Sequence, residues 1–139
     1  MNSKIKYIFA ILVALQMQHL AAAQDAERVR IGEKLSDCGA LFGLLSQANT
    51  KQAEFSKNLS TASIAYAQVA FNDDNKFTQE TGRSMQKASA FINELKETNN
   101  KQRFEDKFKT CMSTLEIAEN NLRKEMSETS KAIVPELFK

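Results

Sequence analysis

The 139-residue sequence holds one histidine, His19, and no tryptophan; proline occurs once, and glycine four times. His19 falls in an N-terminal stretch that reads as removable. The rest of the chain can then build no Ser-His-Asp or Cys-His nucleophile system and no His-ligated zinc, copper or haem site. A c-type haem would also need Cys-x-x-Cys-His, which the sequence lacks. With no tryptophan, and with Tyr66 the one tyrosine beyond that stretch, little is left to stack on sugar rings. This counts against a glycosidase assembled from the plentiful Asp and Glu side chains. Few Gly and Pro residues leave few breaks, and no segment alternates apolar and polar residues as a strand would.

The removable stretch has the three parts of a secretory signal: Lys4 and Lys6, an apolar run from Tyr7 to Leu15, and small residues at Ala21-Ala22-Ala23. Cleavage is expected after Ala23, which makes residues 1–23 a signal peptide and Gln24 the mature N-terminus. The apolar run is far shorter than the roughly twenty residues that cross a bilayer, and Gln16, Gln18 and His19 follow it, so no stable membrane span is expected after cleavage. No cysteine follows the small residues, so there is no lipoprotein signal. Cleavage removes two of nineteen basic residues and none of seventeen acidic ones. The mature chain is then formally neutral, unlike a nucleic-acid binder with its excess of Lys and Arg on one face. What remains suits one exported domain, periplasmic or extracellular, over residues 24–132, with an apolar tail at 133–139.

Ala, Leu, Lys, Glu, Gln and Ser dominate the mature sequence, and its apolar residues recur at steps of three and four, as on one face of a helix. The first stripe is Ile31, Leu35, Cys38, Phe42 and Leu45; the second is Phe55, Leu59, Ala62, Tyr66 and Val69. They are one residue out of register, which places a break near residue 49, where Asn49-Thr50 with Gln52 offers a capping-box-like restart. A third stripe, Phe77, Thr81, Met85, Ala88, Ile92 and Leu95, follows the cap-rich Asn72-Asp73-Asp74-Asn75. The fourth begins after Asn99, with Gln102 three positions on, and carries Phe104, Phe108, Cys111, Leu115, Ala118 and Leu122. It should fade before Pro135, because proline pushes Val134 toward extended geometry. The expected fold is all-α, an antiparallel up-down four-helix bundle. The alternative is two long helical hairpins in which the first two segments form one bent helix.

Cys38 and Cys111 both lie on apolar stripes, near the middles of the first and fourth helices. Those helices are neighbours in an up-down bundle, and the two thiols come to similar heights. In an oxidising compartment they are expected to form a disulfide closing a loop of 73 residues. A catalytic redox pair would instead call for Cys-x-x-Cys.

Gly32, Ser36, Gly39 and Gly43, continued by Ser46, form a small-residue face with a G-x-x-x-G spacing. It is either a docking or dimerisation surface or the place where a neighbouring helix of the same chain comes close. Asn58-Leu59-Ser60 fits a glycosylation sequon, but Leu59 sits on a core stripe. Asn72-Asp73-Asp74-Asn75 lacks the glycine and glutamate offsets of a calcium loop and reads as helix capping. Lys101, Arg103, Glu105, Asp106, Lys107 and Lys109 alternate in sign, as a solvated helix face does. Ile133, Val134, Leu137 and Phe138 place four large apolar residues around Pro135, a tail that would either fold back on the bundle or bind a partner. No catalytic, cofactor or metal residues stand out. The expected role is that of a non-catalytic module binding a protein partner, with a homo-oligomer open. The alternative is a carrier holding a small apolar ligand within the bundle, with a carboxylate-based hydrolase third.

Overall fold

The computed structural model of the chain describes the backbone of residues 3–48 and 51–126, with side chains for Gln18 and from Leu20 onward. Asn49, Thr50 and the tail residues Ile133, Val134, Leu137 and Phe138 lie outside the described residues. The fold is all-helical: α1 (Ser3–Ser46), α2 (Ala53–Phe71), α3 (Asp74–Thr98) and α4 (Lys101–Leu122), closed by a 3-10 turn at Arg123–Glu125. No strand occurs among the described residues. None of their helices is long and apolar enough to cross a membrane.

The caps follow from the polar residues between the stripes. Asn72 leaves α2 in the left-handed region at φ 48°, and its N–H bonds to the Gln68 carbonyl. Asp73 then caps α3, its carboxylate accepting from the Lys76 N–H at 2.9 Å. The Asn72–Asn75 cluster is thus used in capping, and no group of three or more metal-ligating side chains gathers among the described residues. The next junction repeats the device one residue later than the sequence reading placed it. Asn99 ends α3 at φ 49°, and Asn100 caps α4 by accepting from the Arg103 N–H. Gln102 donates to Asp106 instead of reaching back to the cap.

Helix α2 folds back on α1, which overturns the single bent helix. Gly32 faces Phe71, Gly39 faces Ser63 and Ile64, and Gly43 faces Ser60, so numbers fall along α2 as they rise along α1. A Cβ on Gly39 would lie 2.6 Å from Ile64 Cδ1 and one on Gly32 would lie 3.1 Å from the Phe71 ring. Glycine at these places sets how closely the two helices approach. Arg28 closes the far end, donating to the Val69 carbonyl at 2.9 Å and pairing with Glu125 at 2.7 Å. Helix α1 continues through Ala21–Ala23, but residues 20–27 are exposed and packing begins at Arg28.

Leu35, Phe42, Leu59, Tyr66 and Leu115 are fully buried around the paired cysteines, and Ile31, Ala62, Ala118 and Leu122 complete the expected stripes. The stripes are borne out only in part. Phe55 is 44 % exposed and Met85 41 % exposed, Thr81 and Leu95 are half-buried, and Leu45, Val69, Phe77 and Ile92 are half-buried but pack on the core. On α3 the buried positions are Ala88, which is on the expected stripe, and Glu80 and Ser84, each one residue before a stripe position. Helix α4 stops at Leu122, a dozen residues before Pro135, and Met126 beyond it turns extended and buries its side chain.

Candidate functional site

The sequence-derived site residues fall into three groups, and the structure brings only one pair of them together. Cys38 and Cys111 lie at disulfide distance in the core, with Cα atoms 5.4 Å apart, inside the usual range for a bridge. They are 3 % and 0 % exposed, so no substrate thiol reaches them. Gly32, Ser36, Gly39 and Gly43 are packed against α2 of the same chain. The docking partner of that face is internal, and the Ser60 hydroxyl donates across the seam to the Gly39 carbonyl at 2.8 Å. That bond uses the hydroxyl of the sequon, while Leu59 beside it is fully buried. The third group, the tail, lies outside the described residues.

A polar seam joins α3 to α1. Ser84, fully buried, donates to Asp37 Oδ1 at 2.6 Å. Lys87 reaches both Asp37 oxygens at 3.3 and 3.4 Å and Glu80 at 3.5 Å, while Arg83 lies 3.4 Å from Glu80. Burial works against the Lys87 charge, yet hydrogen bonding to Asp37 and the charges of Asp37 and Glu80 hold its pKa above the ordinary lysine value. Both carboxylates of the seam are thus ion-paired, and the cluster ties α3 to α1.

The hydroxyls of Ser36, Ser63 and Tyr66 are buried and have no hydrogen-bond partner among the described residues. Burial first, and the Glu119 carboxylate second, push Tyr66 from 10.0 up to about 12, with Arg123 opposing. Because the folded value is raised, the stability it contributes is complete below pH 10.0 and is lost as pH climbs through about 12. The loss is roughly 2 to 3 kcal/mol at the conversion of about 1.4 kcal/mol per unit. Tyr66→Phe should leave stability at neutral pH unchanged or slightly higher, since an unpaired hydroxyl is removed, and should abolish that alkaline loss. Urea midpoints of both proteins at neutral pH and midway between the two values check this; equal alkaline losses would refute it.

An apolar groove of about 520 Å³ lies where the end of α1, the start of α2 and the start of α4 meet. Its floor is Leu45, Phe55, Phe104 and Phe108, and Lys51, Glu105 and Lys109 stand at its rim. Phe108 is fixed from below by an edge-on contact with Phe42, ring centres 5.6 Å apart, and leans on Phe104 at 6.2 Å. The floor is therefore anchored to the core while Phe55 stands free on one side. The sequence reading assigned these aromatics to the core and missed the groove; the available signal was the crowding of Phe55, Phe104 and Phe108 at ends of helices, where a bundle has least to bury them. No protein-family model matches this chain, and no curated protein and no solved structure is significantly similar to it.

Proposed function

We propose that the protein is an exported, non-catalytic binding module, an up-down antiparallel bundle released by cleavage after Ala23, that takes a protein partner at the aromatic groove. The observation carrying this reading is Phe55. A phenylalanine 44 % exposed beside two half-buried aromatics leaves apolar surface in water, which a soluble domain seldom keeps without use. The absence of histidine beyond residue 19 and the ion-paired carboxylates of the Asp37 seam support a role without catalysis. The exposed segment 20–27 ahead of Arg28 supports cleavage there, since a site at Ala23 lies open to a peptidase. Buried cysteines at bonding distance suit an oxidising compartment, periplasmic or extracellular.

A second reading, a carrier of a small apolar ligand, is favoured by the groove's size, which falls within the range of about 300 to 1,000 Å³ usual for small-ligand sites. The ligand would sit in the surface groove and not within the bundle, whose centre is filled by Leu35, Phe42, Leu59 and Tyr66. One preparation tests both readings: native exported protein and its Phe55→Asp variant, each used for partner capture and for organic extraction followed by mass spectrometry. A partner captured by the native chain and lost from the variant supports the first reading, and a co-purifying ligand lost from the variant supports the second. Identical results from the two proteins would remove the groove from the function.

A further inference from the structure

We infer that the groove is a binding site for a small amphipathic anion, an alkyl chain carrying a carboxylate or similar head; the inference rests on the carrier reading. The alkyl part would lie on Phe55, Phe104 and Phe108, whose faces already line the groove. The head is placed by charge. Lys51 and Lys109 flank the groove, and among the described residues neither ammonium lies within salt-bridge distance of a carboxylate. Glu105 is the one acidic side chain at the rim, so the local balance favours an anion by one charge.

The backbone adds to this. Gln52, the N-cap of α2, and Phe55 and Ser56 in its first turn line the groove, and Gln52 makes no side-chain cap. The positive end of that helix, partly offset by Glu54 in its first turn, therefore borders the same space as the two lysines. The opposing carbonyl end of α1 is partly used up, since Leu44 and Leu45 accept from the N–H groups of Gln47 and Ala48 and Gly43 accepts from the Ser46 hydroxyl. An apolar floor with a few convergent polar groups at one end is the usual form of a small-ligand site.

The test is displacement of a dansyl-labelled undecanoate from delipidated, exported protein by three dodecyl compounds below their micelle concentrations. Dodecanoate should displace the probe at concentrations about tenfold or more lower than dodecanol or dodecyltrimethylammonium, the margin expected of one to two charge-assisted contacts at a partly exposed site. In calorimetric titration, which needs no anionic probe, Lys51→Glu with Lys109→Glu should reverse the order in favour of the cation, and Phe55→Asp should abolish binding of all three, with unfolding midpoints confirming that both variants are folded. Equal displacement by the alcohol and the carboxylate would overturn the anion while leaving an apolar carrier standing. No probe binding to the unaltered protein would overturn both.

Discussion

Reducing the Cys38–Cys111 bridge should lower the stability of the folded protein by on the order of 4 kcal/mol, the value the chain-entropy model gives for a closed loop of this length. The bridge closes 73 residues, and that loop contains all of α2 and α3. Its weight in this fold comes from where it lies. Helix α4 meets α1 through Cys111, through Phe108 on Phe42 and through the pairing of Arg28 with Glu125 beyond its end. The bridge is the middle of those three points, so its loss frees α4 to separate from α1 between the other two. Both sulfurs are buried, so a reductant acts only on molecules that open, and reduction should be slow in native buffer and fast in mild denaturant. Urea unfolding of the oxidised protein and of Cys38→Ala/Cys111→Ala gives the difference directly. Matching midpoints, or two thiols per chain labelled in denatured, unreduced protein taken from its native compartment, would refute the claim.

How much of this was legible in the sequence depends on what held each helix. Helices α1, α2 and α4 announce themselves because they are held by apolar stripes: Leu35, Phe42, Leu59, Tyr66, Leu115 and Leu122 are where period-3.6 reasoning puts them. The cysteine pair followed from the same stripes and a height argument. Helix α3 was found, and Phe77, Ala88 and Ile92 of its stripe lie in or against the core, but the burial of Glu80 and Ser84 beside them was missed. Its contact with α1 is Ser84 on Asp37, with Glu80 and Lys87 alongside, and no hydrophobicity pattern marks a polar residue that is buried because its partner is. Of the stripe that was read, Met85 is the large residue left exposed. The small residues Gly32, Gly39 and Gly43 were seen as a docking face without an address; only the fold says that the docked helix is α2. The groove was illegible for a related reason. Phe55, Phe104 and Phe108 keep the core period, and whether a residue of that period is covered depends on whether a neighbouring helix extends far enough to cover it.

Phe42 and Phe55 stand on consecutive stripes with the same side chain, and their replacement by alanine should differ by several kcal/mol. Phe42 is fully buried, lies edge-on to Phe108 and is four residues from Cys38 in α1. Truncating it removes most of a buried aromatic and leaves a cavity that α1 cannot close, because the glycine seam with α2 and the cysteine pair with α4 already fix its position. The expected cost is about 3 to 5 kcal/mol, a large share of the roughly 5 to 15 kcal/mol that holds a domain folded. Phe55, 44 % exposed at the first turn of α2, should cost less than about 1 kcal/mol, since much of its ring is in water in either state and alanine is the better helix former. Chemical denaturation of the two variants beside the unaltered protein measures the contrast. A Phe55→Ala loss as large as that of Phe42→Ala would mean that Phe55 is covered in solution, by a second copy of this chain or by its own residues. The groove would then be closed in the free protein, and any ligand or partner would have to displace that cover before binding.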